Sequence, residues 1–160
     1  MGGSTKYASP LSATVELERV AGLLGGSKVL RRNLKNPLEA HEMLFEGLPG
    51  KALNTLLDSL AIQKSAALEK AIGMSLRTVQ RYRDSPSRPL SQQQSGRIWK
   101  FAEILAKAID VLGSQQEAER WLDSQAMGLN QRRPIDLLAT PAGVELVEDF
   151  LERLAYGVYA

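Results

Sequence analysis

Apolar side chains recur every three or four positions along most of the chain, and glycine, proline or N-capping residues interrupt the pattern at short intervals. This spacing is typical of short amphipathic helices. No stretch alternates between apolar and polar residues as a half-buried strand does. We therefore predict an all-α fold of about eight short helices.

Three helices have clearly marked ends. Asn36 is predicted to cap a helix that starts at Pro37, because Asn accepts a backbone hydrogen bond at the N-cap and proline suits the first turn. A long helix is predicted from Gln92 to Leu112. The pair Thr140-Pro141 marks the start of the last helix, which has an apolar stripe and an acidic face.

Other boundaries are less sharply marked. The first helix is expected from Thr14 to the pair Gly25-Gly26, and a short helix capped by Ser27 is expected to end near Leu34. Val15 is predicted to line the buried side of the first helix. Met43, Leu44 and Phe45 are predicted to supply the apolar side of the helix after Asn36.

Composition excludes several classes of function. The chain has 160 residues, no cysteine and a single histidine, His41. Disulfides, thiolate metal sites, histidine clusters and Cys–His pairs are therefore excluded. We predict that the chain is not an enzyme and has no catalytic residue, metal site or cofactor. It has no apolar run of membrane-spanning length and no secretory signal, so we expect a cytoplasmic protein with no membrane partner.

Charge is distributed unevenly along the chain. The whole chain carries a formal charge of +2, residues 64–100 carry a net +6, and residues 101–160 carry a net −5. A basic middle next to an acidic end suggests two binding surfaces with different partners. The basic segment suits phosphates, although a solvated charged surface would give the same arithmetic.

The basic segment contains a predicted helix-turn-helix from Lys64 to Arg83. Gly73 suits the turn, and Ser75 can cap the second helix. Leu76 and Val79 are expected to hold that helix against the first. We predict a surface of base-reading and phosphate-binding side chains, made of Ser75, Arg77, Thr78, Gln80, Arg81 and Arg83.

Two considerations weigh against this prediction. A helical hairpin with a solvated basic face would have the same pattern. Helix-turn-helix segments usually carry a small residue four positions before the turn glycine, and here that residue is Glu69.

The C-terminal part resembles the toxin-binding domain of Xre/MbcA/ParS-type antitoxins. The matching pieces there are Trp121-Leu122, Arg133-Pro-Ile-Asp-Leu-Leu138, Thr140-x-x-Gly143 and Leu154-Ala-Tyr-Gly-Val-Tyr-Ala160. The matching upstream pieces are Glu46-Gly-Leu-Pro49, Ser75-x-Arg77-Thr78-x-x-Arg81, and Leu90 with Ser95 and Arg97. One departure is Leu129-Asn130-Gln131, where the family commonly has Leu-Gly-Gly.

This resemblance implies an antitoxin of a RES–Xre toxin–antitoxin module. The implied partner is a RES-domain toxin that degrades NAD⁺, and the antitoxin would cover its active site with the C-terminal region. The helix-turn-helix would bind double-stranded operator DNA in the operon's own promoter. The expected toxin-binding residues are Glu145, Glu148, Asp149, Glu152, Tyr156, Gly157, Val158, Tyr159 and Ala160.

The charge and the aromatic side chains of that surface suit such a contact. A pocket that binds a dinucleotide pyrophosphate should be basic and would attract an acidic helix. Tyr156 and Tyr159 could fill slots shaped for aromatic rings, and the terminal carboxylate could pair with an arginine. The same tail could instead pack only on its own domain.

We therefore expect three regions: a disordered arm at residues 1–13, a helix-turn-helix region at 14–90 that forms a homodimer, and a toxin-binding domain at 91–160. Two alternatives stay open at this stage. One is a stand-alone transcriptional regulator without a toxin partner. The other is a pure inhibitor whose helix-turn-helix has become structural, and Glu69 favours that alternative.

Overall fold

The computed structural model describes residues 10–62 and 65–157, with side chains from Val15 onward. These residues form helices and no sheet, which confirms the predicted all-α class. The described α-helices are α1 (Pro10–Leu23), α2 (Gly26–Leu30), α3 (Pro37–Glu46), α4 (Gly50–Ser59), α5 (Ala66–Ile72), α6 (Leu76–Asp84), α7 (Gln92–Leu112), α8 (Gln115–Leu122), α9 (Pro134–Leu137) and α10 (Pro141–Ala155). A single 3-10 turn, Met127–Leu129, lies between α8 and α9.

The long helix α7 is the centre of the fold. It packs against α1, α3, α5, α8 and α10, so helices from both ends of the chain share it. Its inner side chains include Ile98, Phe101 and Leu105, all buried in one continuous apolar core. Ser91 and Gln94 form a reciprocal capping box at its start, and Gly113 ends it with φ 100°. The predicted bounds of this helix are confirmed.

The predicted start of α3 is also confirmed, whereas the bounds of α2 differ. The side chain of Asn36 accepts a hydrogen bond from the backbone of Glu39. Gly25 is the N-cap of α2, and the helix already includes Gly26 and ends at Leu30, because Arg31 takes a left-handed conformation with φ 58°. The expected Ser27 cap and the expected end near Leu34 are therefore wrong.

Two residues predicted in the core are exposed. Val15 is 39% exposed and Phe45 is 64% exposed. Helix α3 packs on α7, and its buried residues are Ala40 and Met43, which lie off the Phe45 side of the helix. The ring of Phe45 lies 6.3 Å from the ring of His41 at the surface. Among the described helices, none is long and apolar enough to cross a membrane.

A buried carboxylate connects α8 to the segment that follows α4. Glu119 is only 5% exposed. Its Oε1 accepts hydrogen bonds from the backbone N–H groups of Ala61 (2.7 Å) and Ile62 (3.0 Å). Gln115 donates from Nε2 to its Oε2 and to the carbonyl oxygen of Ser59. These bonds fix the approach to α5 relative to the C-terminal half.

Candidate nucleic-acid and toxin interfaces

The helix-turn-helix has the predicted form. The Ser65 side chain caps α5, Gly73 ends α5 with φ 71°, and the Ser75 side chain caps α6 by accepting from Thr78 N. The first helix begins at Ala66 and the second continues to Asp84, close to the predicted 64–83. The positive φ of Gly73 lets the backbone leave α5 and turn sharply into α6, as two crossing helices require.

Glu69 acts as a second cap in this turn. Its Oε1 accepts a hydrogen bond from the backbone N–H of Leu76 at 3.2 Å. A carboxylate at the first turn of α6 satisfies an orphan donor and interacts favourably with the helix dipole. The residue that departs from the usual small side chain therefore stabilises the start of the second helix.

Arg97 fixes the other side of the turn. Its Nη2 donates to the carbonyl oxygens of Lys70 and Ala71, two of the last carbonyls of α5. Arginine is well suited to this because its donors reach carbonyls that have no intrahelical partner. Arg97 therefore connects the turn to α7.

The upstream motif at Glu46–Pro49 holds the joint between α3 and α4. Gly47 has φ 104°, and a Cβ there would lie 2.4 Å from the carbonyl oxygen of Leu90. Leu48 donates its N–H to the buried Ser95 hydroxyl at 2.9 Å, and its carbonyl accepts from Leu90 N at 2.7 Å. The motif residues Leu90 and Ser95 therefore have a structural role.

Three of the six predicted DNA-binding residues share the outer face of α6. Arg77, Gln80 and Arg81 are exposed, and no ion pair is described for either arginine within 10–62 and 65–157. Gln80 donates to Asp84 on the same helix. Residues spaced 77, 80 and 81 lie on one side of a helix, so the structure brings these three together.

The other three residues have different surroundings. Ser75 and Thr78 form the cap, with their hydroxyl oxygens 3.1 Å apart. Arg83 makes an ion pair with Asp58 of α4 at 2.9 Å and its side chain is only 25% exposed. The structure thus directs Arg83 toward α4, away from the face of Arg77 and Arg81.

Leu76 differs from the sequence prediction. It was predicted to hold α6 against α5, but it is 46% exposed, whereas Val79 is 3% exposed. Both residues border the same small cavity as Leu68 and Ile72. The packing role therefore belongs mainly to Val79, and one side of Leu76 faces outward.

The last helix begins as predicted. The hydroxyl of Thr140 accepts a hydrogen bond from Gly143 N at 3.0 Å. A Cβ on Gly143 would lie 1.9 Å from the carbonyl oxygen of Leu137. The Thr-x-x-Gly spacing thus combines a cap with a residue small enough for α10 to touch the end of α9.

The acidic residues of α10 point in two directions. Glu148 makes an ion pair with Lys100 of α7 at 3.4 Å, and Glu152 lies 3.9 Å from Lys107. Burial acts to lower the pKa of Lys100, but the carboxylates of Glu103 and Glu148 outweigh it and raise that pKa. Glu145 and Asp149 are exposed on the outer face.

The end of the chain is only partly described. Tyr156 is 62% exposed and Gly157 has φ 68°. The predicted toxin-binding residues Val158, Tyr159 and Ala160 lie outside the described residues.

Sequence reasoning missed an exposed apolar patch beside α10. Met127 is 85% exposed and Leu146 is 54% exposed. Phe150 of α10 stacks on Trp121, with ring centroids 5.8 Å apart, and its ring lies against Gly128, the neighbour of Met127. The signal in the sequence was Leu146 and Phe150, which are four residues apart and off the stripe of Val147 and Leu151.

The turn that carries Met127 has a strained backbone. Asn130 and Gln131 both have left-handed φ values, 56° and 60°. Arg133 holds the exit of the turn through bonds to Asp136 and Asp123. These two positions are those where the family resemblance noted above commonly has Gly-Gly, so the loop keeps the left-handed shape without glycine.

We predict that Gln131→Gly stabilises the chain. Glycine adopts positive φ without the Cβ clash, so the free energy of unfolding should rise by about 1 kcal/mol in urea unfolding. Glu42→Gly, at an exposed position inside the right-handed helix α3, should instead lower it by about 1 kcal/mol. Equal changes of the same sign in both variants would contradict the strain.

The described residues hold no candidate metal site. Within residues 10–62 and 65–157, no group of three or more His, Asp or Glu side chains could hold a metal ion. His41 is exposed and packs beside Phe45.

Two family models match the chain, and they meet inside α7. The antitoxin Xre-like helix-turn-helix domain matches residues 39–103, and the antitoxin Xre/MbcA/ParS C-terminal toxin-binding domain matches residues 107–157. The chain is 27% identical over 138 residues to "Antitoxin Xre" of Yersinia enterocolitica, covering 84% of this chain and 93% of the relative. It is 27% identical over 124 residues to "Antitoxin Xre" of Pseudomonas putida, covering 78% of this chain and 76% of the relative. Together the two domain matches and the two relatives support an Xre-type antitoxin, in which a helix-turn-helix domain is followed by an Xre/MbcA/ParS toxin-binding domain.

Proposed function

We propose that this antitoxin neutralises a RES-domain toxin that degrades NAD⁺, by covering the toxin's active site with its C-terminal region. The observation that carries the proposal is the outer face of α10, where Glu145 and Asp149 are exposed and Tyr156 follows directly. A pocket that binds the pyrophosphate of NAD⁺ needs positive charge, and these carboxylates complement it.

The ion pairs with α7 refine which residues serve this contact. Glu148 and Glu152 pair with Lys100 and Lys107 of α7. Their charges therefore help to hold α10 on α7 and are partly neutralised within the chain. The proposed toxin surface therefore consists of Glu145, Asp149, Tyr156 and the tail to Ala160, with Met127 and Leu146 as apolar neighbours.

The test is toxin neutralisation by a charge-reversed variant. Asp149→Lys should raise the Kd for the purified RES toxin about tenfold, because it places like charge against a basic pocket. The measurement is residual NAD⁺ consumption as antitoxin is titrated in. Glu42→Lys makes the same charge change on exposed α3 and should leave neutralisation unchanged.

Two outcomes would contradict parts of the proposal. Equal effects of Asp149→Lys and Glu42→Lys would exclude the outer face of α10 as the contact. If removal of Gly157–Ala160 leaves neutralisation intact, the tail does not cover the active site.

We further propose that the helix-turn-helix binds the operon's own promoter as a homodimer through the N-terminal region, and that the protein works in the cytoplasm. The supporting observation is the outward face of Arg77, Gln80 and Arg81 on α6. Paired half-sites are the usual target of such dimers. The division into regions 14–90 and 91–160 is part of the same proposal. The predicted arm at 1–13 extends too far, because α1 already begins at Pro10.

Replacing Arg77 or Arg81 by alanine should weaken promoter binding by about 1–3 kcal/mol each, because each removes a bidentate or phosphate contact. Fluorescence anisotropy with promoter duplex measures this, and Arg132→Ala is the matched control at an exposed arginine of the other half. Toxin neutralisation should be unchanged in all three variants. Unchanged DNA binding in both α6 variants would favour a pure inhibitor, and a protein that binds DNA but no toxin would favour a stand-alone regulator.

A further inference from the structure

Leu76 lies at the N-terminal end of α6 and is 46% exposed. It is the first residue of the helix, directly after the Ser75 cap and before Arg77. Residues 76, 77, 80 and 81 lie on one side of a helix, and Leu76 is the apolar member of that set. The other large apolar residues of α6, Val79 and Tyr82, are 3% and 8% exposed, against 46% for Leu76.

The local structure holds Leu76 in place before any ligand binds. Its N–H donates to Glu69 Oε1, and the Ser75 cap fixes the same turn of backbone. The side chain borders the small cavity lined by Leu57, Leu68 and Ile72, while nearly half of its surface stays exposed. Because the backbone at this position is already fixed, a contact made by Leu76 costs little additional ordering of the chain.

The chemistry of the major groove selects one partner for such a side chain. The first residues of a recognition helix contact base edges. Leucine cannot form a hydrogen bond there, and the C5-methyl of thymine is the apolar group that the base edges present. Building on the proposed promoter binding, we infer that Leu76 contacts a thymine methyl group, adjacent to the base pair read by Arg77.

The experiment compares thymine with uracil in the bound DNA. A duplex is first selected from a randomised pool with the full chain, and each thymine of a half-site is then replaced singly by deoxyuridine, which lacks only the methyl group. Loss of one buried methyl should weaken binding about fourfold at one position per half-site. Leu76→Ala should bind the thymine and uracil duplexes equally well.

Control variants separate this contact from general effects. Leu38→Ala, at an exposed leucine of α3, should keep the preference for thymine. Leu76→Met, which keeps an apolar side chain of similar volume, should keep it too. The comparison of thymine and uracil duplexes is made first with the wild-type chain. A folding defect in Leu76→Ala therefore cannot produce or hide the thymine preference.

The outcomes are distinguishable. If no duplex is selected, promoter binding itself fails, and the inference fails with it. If a duplex binds and Arg77→Ala weakens it, but no uracil replacement changes the wild-type Kd, the thymine contact is overturned while promoter binding stands. Retention of the thymine preference in Leu76→Ala would assign that contact to another residue.

Discussion

Gly143→Ala should lower the free energy of unfolding by about 3 kcal/mol or more. The added Cβ would lie 1.9 Å from the carbonyl oxygen of Leu137 and 2.7 Å from its carbonyl carbon. These are backbone atoms, so α10 must move away from α9 and disturb the packing of Val147 and Leu151 against α7. Urea unfolding of the full chain measures the loss.

Gly96→Ala is the matched control for this substitution. Gly96 lies in α7, and a Cβ there would meet nothing within 4 Å. Because alanine is the better helix former, the variant should gain about 0.5–1 kcal/mol. Equal stabilities of the two variants would mean that α9 and α10 can separate enough for the added Cβ without a loss of stability.

Glu119→Ala is expected to cost about 3 kcal/mol. The substitution removes the carboxylate that accepts from the backbone N–H groups of Ala61 and Ile62, and a hydrogen bond to a charged group contributes about 1.5–3 kcal/mol. In the variant, the amides of Ala61 and Ile62 should exchange hydrogen faster than they do in the wild-type chain. The amides of α7 should change little, which would locate the defect.

Two further substitutions test the origin of that loss. Glu119→Gln keeps an oxygen that can accept from both N–H groups, so it should recover most of the stability. Glu117→Ala removes an exposed glutamate of the same helix and should change stability by only a few tenths of a kcal/mol. Equal costs of Glu117→Ala and Glu119→Ala would exclude the bonds of Glu119 as the source of the loss, and helix propensity cannot explain it because alanine is the better helix former.

Local signals were sufficient for most helices. Asn36, Ser75 and Thr140 cap helices where the sequence predicts them, since capping depends on bonds within four residues. Short elements between strong signals were missed. The 3-10 turn Met127–Leu129 and the helix α9 are not among the elements whose bounds were predicted.

Contacts between distant segments were beyond the reach of sequence patterns. The pairing of Arg83 with Asp58, and of Glu148 with Lys100, depends on which helices become neighbours. The periodicity of α10 identified its polar side but could not divide it into an inner and an outer half. Glu69 shows the opposite case, because a residue that weakens a motif match supplies a capping bond.

The continuous helix α7 has a consequence for recombination between antitoxins of this family. The two domain matches meet within this helix, at residues 103 and 107, so no linker separates the parts. A hybrid joined at that point would inherit α8 from one parent and the segment Ser59–Ile62 from the other. The bonds of Glu119 and Gln115 reach backbone groups of that segment, so a hybrid keeps them when the parent of its C-terminal half supplies the glutamate and the glutamine.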